Sequence, residues 1–95
     1  MKLVWSKEAL QALESVIEYI AHDNPTAAQS LFEIIITAVT TILPINPQAG
    51  RPGRVDETRE LVVHASYIVV YRYFEQTLEI LTIRHTAHLW PDTFD

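Results

Sequence analysis

The sequence predicts an α+β fold, in which an N-terminal strand and an antiparallel helix hairpin pack on a small, mainly antiparallel sheet. Three observations predict it: apolar residues at helical spacing before residue 44, the Asn24-Pro25 break within that region, and β-type runs after residue 58. The chain has 95 residues, of which 48% are hydrophobic. Residues 1–95 are expected to form one domain, because so short a chain cannot divide its apolar content between two cores.

The N-terminal half predicts a short strand followed by a first helix. Met1–Trp5 alternates weakly between apolar and polar residues, which suits a strand. Ser6 is a suitable N-cap for a helix over residues 7–23, and Glu8 in its first turn complements the helix dipole. Four aliphatic residues recur at helical spacing and are expected to face the core: Leu10, Leu13, Ile17 and Ile20.

Asn24-Pro25 separates this helix from a second one, because Asn caps helices well and Pro is tolerated at the first helical position but not within a helix. The second helix is expected to run from Pro25 to about Leu43 as the other arm of a hairpin. Its predicted core stripe consists of Ala28, Leu31, Phe32, Ile35, Val39 and Ile42. Ile34 and Ile36 lie off this stripe, as part of a protein-binding surface or as ordinary scattered exposed aliphatics.

Repeated prolines and glycines predict a loop over residues 44–58, and three strands follow it at 59–64, 67–74 and 78–85. The short gaps between these strands favour an antiparallel meander. Alternation places three apolar pairs each on one face of its strand: Leu61 with Val63, Ile68 with Val70, and Leu81 with Ile83. The intervening positions are also largely apolar, so we expect the helix pair to cover one face of the sheet and another chain to cover the other.

The net charge of −5 disfavours broad electrostatic capture of RNA or DNA, because proteins that neutralise many phosphates carry a surplus of Lys and Arg. Five arginines in the second half are candidates for binding phosphate or a carboxylate: Arg51, Arg54, Arg59, Arg72 and Arg84. The last two could instead pair with Glu60 and Glu79 across the sheet. The loop arginines have only Asp56 and Glu57 as evident local partners.

Three histidines lie at or beyond the strand ends, namely His64, His85 and His88. No carboxylate or cysteine of recognisable spacing completes a ligand set around them, so neither a metal nor a cofactor is expected. His85 beside Arg84 would suit acid or base catalysis next to a bound phosphate. The alternative is a strand-end histidine that makes ordinary hydrogen bonds.

The composition gives no sign of an oxidising or membrane environment. The chain has no cysteine, and its N-terminal apolar run is too short for a secretory signal. The longest apolar stretch, Ile34–Leu43, is too short to span a bilayer. A cytoplasmic protein is expected.

Several motifs occur in a recognisable order: the initial strand and helix hairpin, the Gly50–Arg54 loop, the strand Thr58–Val63, Tyr71-Arg72, and the ending from Ile83-Arg84-His85 to Trp90-Pro91. In this order and spacing the chain resembles the RelE/ParE superfamily of bacterial toxins from type II toxin–antitoxin systems. The resemblance spans nearly all residues and implies the superfamily's α+β fold. It also implies a cognate antitoxin partner, whose C-terminal segment folds onto the toxin and silences it.

The superfamily has two activities, and the resemblance favours the ParE-like one, inhibition of DNA gyrase, for which no catalytic residue is expected. The RelE-like alternative is cleavage of mRNA in the ribosome. It would make Arg59, Arg84 and His85 the catalytic candidates, with the loop arginines holding phosphate. His88 stands where the family tail often has arginine. A non-toxic module that only binds the antitoxin is a third possibility.

Overall fold

A computed structural model describes residues 1–64 and 66–86 of the chain. Its elements are, in order, β1 (Lys2–Trp5), α1 (Lys7–Asp23), α2 (Pro25–Thr37), a π-helical segment (Ala38–Ile42), α3 (Leu43–Ile45), β2 (Arg51–Pro52), β3 (Arg59–His64), β4 (Tyr67–Phe74) and β5 (Thr77–His85). The α+β fold with a helix hairpin against a small sheet is therefore confirmed. The sequence predictions for His88 and Trp90-Pro91 lie outside the described residues.

Both predicted helix starts are capped as the sequence indicates. The Ser6 hydroxyl accepts a hydrogen bond from the Ala9 N–H at 2.9 Å, and it also donates to the Leu81 carbonyl at 2.9 Å. One residue thus caps α1 and ties its start to β5. At the hairpin, the Asn24 side chain accepts a hydrogen bond from the Ala27 N–H at 3.0 Å, and Pro25 is the first residue of α2.

The buried face of α1 differs from the prediction in one residue. Leu13, Ile17 and Ile20 pack against the core, but Leu10 is 53% exposed and its neighbour Ala9 is fully buried. The physical reason is close packing: the start of α1 lies against β5 through Ser6, and a small side chain at Ala9 allows the helix to approach the sheet. Leu10, one residue further on, is rotated by about 100° out of that contact.

The second helix continues beyond α2 through the π-helical segment into α3, and this changes which residues are buried. Ala28, Leu31, Ile35 and Val39 are buried as predicted. Phe32 and Ile42 were predicted to be buried but are 43% and 45% exposed, whereas Ala38 and Leu43 are buried. An α-helical spacing allows either Ile42 or Leu43 to occupy the core position one turn after Val39. A π turn holds more residues than an α turn, so Leu43 takes this position.

The continuous helical stretch Pro25–Ile45 is long and apolar enough, by length and composition alone, to cross a membrane. The apolar stretch Ile34–Leu43 was expected to be too short to span a bilayer. This expectation is corrected, because the helix that contains it runs from Pro25 to Ile45. Such a match is weak evidence, since the core helix of a soluble protein passes the same test. Here Leu31, Ile35 and Val39 pack into the same core as the sheet.

The sheet has five strands in the order β1-β5-β4-β3-β2. The predicted meander of β3, β4 and β5 is antiparallel, and β1 adds to it in parallel to β5. The predicted loop over residues 44–58 is wrong in part, because α3 begins at Leu43 and β2 pairs with the start of β3. The strand β2 forms because Arg51 and Pro52 lie opposite Glu60 and Arg59.

Two separate apolar clusters lie on the two faces of the sheet. The helix-facing cluster includes Val69, Tyr71 and Ile83, and a second cluster consists of Ile68, Val70 and Leu81. The prediction that Leu81 and Ile83 share a face is wrong. The register of β4 and β5 shifts between Val70 and Tyr71, which leaves Leu81 as the extra residue of a bulge and reverses the alternation there.

We predict that Leu43→Ala lowers the free energy of unfolding by about 2–5 kcal/mol, because it leaves a cavity at a fully buried site. Ile42→Ala, at the neighbouring half-exposed site, should cost less than about 1 kcal/mol. Urea unfolding followed by circular dichroism measures both values. Similar losses for the two variants would contradict the burial produced by the π-helical segment.

Candidate functional site

The centre of the arginine-bearing region is a buried carboxylate, Glu60, whose side chain is 1% exposed. It lies on β3 directly opposite Arg51 on β2. One oxygen, Oε1, accepts a hydrogen bond from Arg51 Nη2 at 3.2 Å and lies 3.8 Å from Arg54 Nε. The other, Oε2, accepts a hydrogen bond from the Arg54 backbone N–H at 2.8 Å. Glu60 therefore holds both loop arginines.

Sequence reasoning missed this partner. It assigned Asp56 and Glu57 as the local partners of the loop arginines and placed Glu60 across the sheet from the strand arginines. The pairing of Arg51 with Glu60 depends on β2, a strand of two residues. The one signal in the sequence was Glu60 itself, an acidic residue near the start of a predicted strand. It would indicate a partner in the preceding loop only if part of that loop paired with this strand.

Tyr71 on β4 fixes the start of the same loop. Its hydroxyl donates a hydrogen bond to the Pro47 carbonyl at 2.7 Å and accepts one from the Gly50 N–H at 2.9 Å. Arg59 Nη1 donates to the Gly50 carbonyl at 2.7 Å. A Cβ on Gly50 would lie 2.8 Å from the Tyr71 hydroxyl oxygen and 2.9 Å from the Glu60 carbonyl oxygen, so no side chain fits there. Both backbone groups of Gly50 are thus bonded by side chains of the sheet.

The rest of the loop is closed on itself. The Gly53 N–H donates to the Thr58 carbonyl at 2.8 Å, and the Thr58 hydroxyl donates to the Val55 carbonyl at 2.6 Å. Thr58 and Val55 are both buried. A Cβ on Gly53 would collide with the Thr58 hydroxyl oxygen. The segment between β2 and β3 is therefore a structured loop.

The two strand arginines are engaged by different carboxylates. Arg72 Nε donates to Glu79 Oε1 at 2.7 Å, and the two residues are direct partners in the β4–β5 register. The predicted cross-strand pairing is confirmed for this arginine. Arg84 instead lies 3.7 Å from the carboxylate of Glu8, in the first turn of α1. This pairing arises because α1 begins beside β5, which the sequence alone did not indicate.

Two polar atoms near the end of β5 have no hydrogen-bond partner, the Thr82 hydroxyl oxygen and the Arg84 Nε, and both are buried. These residues are two apart on one strand, so their side chains lie on the same face of the sheet. Of the predicted arginines, Arg84 is thus the one with an unsatisfied buried donor among the described residues.

The RelE-like candidates Arg59, Arg84 and His85 do not converge. Arg59 lies opposite Tyr71, on the helix-facing side of the sheet, whereas Arg84 lies opposite Ile68 on the other side. His85 follows Arg84 on the strand and therefore points to the opposite face.

His85 lies at one end of β4 and β5, whereas Arg59 lies beside the middle of β4. The His85 ring contacts Tyr67 edge-on, with centroids 5.2 Å apart. On β4, Tyr67 is the register partner of His85 and Tyr71 is the register partner of Arg59. Four residues of a strand span about 13 Å, so His85 and Arg59 are separated by about that distance along the sheet. Within residues 1–64 and 66–86, no group of three potential ligand side chains could hold a metal ion.

Burial also changes the acidity of two tyrosines. It raises the pKa of the Tyr71 phenol above its ordinary value of 10.0, although the Gly50 N–H and the Arg59 guanidinium act in the opposite direction. Burial likewise raises the pKa of Tyr67, and the nearby Tyr19 raises it further. Both phenols are therefore neutral hydrogen-bonding groups at physiological pH.

The chain matches a protein-family model described as "ParE toxin of type II toxin-antitoxin system, parDE" over residues 3–90. The chain belongs to the ParE toxin family. Among curated relatives, Y4kP of Sinorhizobium fredii is 40% identical over 91 residues, which cover 95% of this chain and 93% of Y4kP. Toxin RelE2 of Caulobacter vibrioides is 33% identical over 88 residues, covering 93% of this chain and 98% of RelE2. The protein is thus a type II toxin of the RelE/ParE superfamily.

Solved structures share the fold of this ParE-family toxin. The chromosomal ParDE system from P. aeruginosa aligns with a TM-score of 0.77 at 24% identity, covering 90% of this chain and 95% of the other. The YoeB/ParE toxin from Agrobacterium tumefaciens aligns with a TM-score of 0.65 at 22% identity, covering 90% and 98%. At these identities the likeness concerns the fold, which agrees with the two helices packed on a five-stranded sheet.

We predict that Tyr71→Phe lowers the free energy of unfolding by about 2 kcal/mol, because it removes the partner of the buried Gly50 N–H and of the Pro47 carbonyl. Tyr73→Phe removes the same atom from a more exposed tyrosine and should cost less than about 0.5 kcal/mol. Urea unfolding of the two variants measures the difference. An equal loss of unfolding free energy in both would contradict the role of Tyr71 in fixing the loop.

A second prediction concerns alkaline pH. The pKa of Tyr71 is higher in the folded protein than in the unfolded chain, so the unfolded chain loses the phenol proton first as pH rises. The contribution of this phenol to the stability of the folded state is therefore fully present below about pH 10 and is lost as pH rises through the folded pKa. Tyr71→Phe should therefore lose less stability than the wild type between about pH 9 and about pH 11. Urea unfolding across that range measures the loss. A decline as steep as in the wild type would show that the phenol does not contribute.

Proposed function

We propose that this ParE-family toxin inhibits DNA gyrase in the cytoplasm, performs no bond chemistry itself, and is neutralised by a cognate antitoxin. The observation that carries the proposal is the engagement of the arginines. A ribonuclease needs cationic side chains that converge on the scissile phosphate and stabilise the charge developing there. Here the arginines of the sheet and loop are held by the protein's own groups.

Four of these arginines lie within 4 Å of one of three carboxylates. Glu60 holds Arg51 and Arg54, Glu79 holds Arg72, and Glu8 lies 3.7 Å from Arg84. The fifth, Arg59, donates to the Gly50 carbonyl and so supports the loop. An RNA phosphate would compete with these internal carboxylates for the guanidinium groups, and the net charge of −5 would oppose its approach.

The positions of the candidate catalytic groups support the same conclusion. Arg84 and His85 point to opposite faces of β5, and Arg59 lies about 13 Å along the sheet from His85. No single phosphate could contact all three groups while the strands keep this register. A toxin that acts by binding a protein target does not require such convergence.

An antitoxin partner is supported by the relatives. One similar structure is described as a ParDE toxin–antitoxin system, and another, with a TM-score of 0.62 at 14% identity, as the E. coli DinJ-YafQ toxin–antitoxin complex. We therefore expect a small open reading frame beside the gene for this protein that encodes its antitoxin. An isolated gene would count against this part of the proposal.

Two assays on purified protein, freed of antitoxin, test the proposal: gyrase supercoiling with detection of cleavage complexes, and mRNA cleavage on translating ribosomes. We expect inhibition of supercoiling, its reversal when the antitoxin is added back, and intact mRNA. The control is the same toxin kept in complex with its antitoxin throughout.

The RelE-like alternative has one observation in its favour, the 33% identity to a protein named RelE2. Ribosome-dependent cleavage without gyrase inhibition would overturn the proposal. Arg84→Ala and His85→Gln would then be expected to reduce cleavage by about 100-fold or more. Inactivity in both assays of a toxin that still binds its antitoxin would instead indicate a non-toxic antitoxin-binding module.

A further inference from the structure

A groove at the turn between β4 and β5 is not used by anything described so far. It has a volume of about 540 Å³, and its lining includes Glu57, Arg72, Tyr73, Phe74, Glu75 and Glu79. A neighbouring hollow of about 400 Å³ shares Glu57 and Tyr73 with it. We call the first hollow the hairpin groove.

The hairpin groove exposes aromatic surface. Phe74 is 72% exposed and Tyr73 is 37% exposed. Both are strand residues immediately before the turn, so the sheet holds their backbones in place. The two side chains point to opposite faces of β4, so Phe74 supplies the aromatic side chain on the face that carries Arg72 and Glu79. An exposed aromatic side chain at the edge of a hollow is well suited to bury area against a partner. The groove thus has an apolar contact surface ready for a ligand.

The charges around this surface are mainly negative. Glu57, Glu75 and Glu79 contribute three carboxylates against one arginine, and that arginine is already bonded to Glu79 at 2.7 Å. Glu57 and Glu75 have no ion-pair partner among the described residues. A complementary ligand must therefore bring positive charge. Phosphates, and nucleic acids with them, are disfavoured by the same surplus.

The backbone at the groove is also held in an uncommon conformation. The non-glycine residues with positive φ in the described part of the chain are Glu57 at 67°, Glu75 at 50° and Gln76 at 64°. Two of them line the groove, and the third follows Glu75 in the turn. A two-residue turn with positive φ at both positions is normally built from Asn and Gly. Two glutamates with an uncommon backbone conformation thus line the same groove.

We propose that the hairpin groove docks an extended segment of a partner protein in which lysine or arginine side chains alternate with apolar ones. The apolar side chains of the segment pack on Phe74, on the face of the sheet that carries Arg72 and Glu79. Its cations pair with Glu57 and Glu75 and contact the aromatic faces. The acidic surplus of the whole chain, −5, attracts the same kind of partner. This docking does not depend on whether the toxin inhibits gyrase.

A labelled peptide of alternating arginine and leucine is the probe, and a peptide of alternating glutamate and leucine is the charge control. Fluorescence anisotropy with the purified full chain measures binding. We expect the arginine peptide to bind and the glutamate peptide not to bind. We also expect Glu57→Gln with Glu75→Gln to weaken binding about tenfold or more, because two complementary charges are lost.

The matched control is Glu14→Gln with Glu18→Gln on the exposed side of α1, which changes the net charge by the same amount away from the groove. It should change affinity less than about twofold, since only long-range attraction is altered. Phe74→Ala, at a 72% exposed site, tests the aromatic contact without disturbing the fold and should also weaken binding several-fold. Equal effects of the two double variants, unchanged binding by Phe74→Ala, or no binding to the wild type would each overturn the proposal.

Discussion

The buried carboxylate of Glu60 is the constraint on which the candidate site depends. A carboxylate that is almost fully removed from water must be paired, because an isolated buried charge is costly. The pairing is provided by Arg51 on the short neighbouring strand β2 and by Arg54 in the loop that follows it. The loop must therefore close over β3, and this closure is what creates the short strand β2. One charge accordingly fixes the path of the chain between the helices and the sheet.

Tyr71 and Gly50 complete that closure from the helix-facing side. The phenol bonds two backbone groups of the loop, and Gly50 is small enough to let the backbone approach it. The burial that raises the pKa of this phenol keeps it in the neutral form that can both donate and accept. Arginine side chains that resemble a phosphate site in the sequence thus serve the architecture of the loop.

The proposed function rests on the same distribution of charge. The arginines are engaged inward by carboxylates and carbonyls, while Glu57 and Glu75 remain available at the hairpin groove. A surface of this kind suits recognition of a protein with basic segments better than recognition of RNA. The proposed mode of action, inhibition by binding, and the proposed docking at the hairpin groove both rest on the acidic charge of this chain.

The sequence by itself determined the elements that depend on local chemistry. The Ser6 and Asn24 caps, the hairpin and the three main strands could be predicted, because caps, apolar spacing and turn residues act within a few positions along the chain. The superfamily was also recognisable from the order of the motifs. The pairing of Arg72 with Glu79 could be anticipated, since both lie on adjacent strands of one hairpin.

Only the tertiary structure decided which residues those elements bury and join. Leu43 replaces Ile42 in the core because a π turn changes the helical phase, and Leu81 leaves the face of Ile83 because of a bulge. The partner of Arg84 comes from a distant part of the chain, on α1, and the partner of Arg51 depends on the pairing of the two-residue strand β2 with β3. Each of these outcomes depends on register and packing between elements, and a shift of one residue reverses a face. Local sequence patterns do not contain that information.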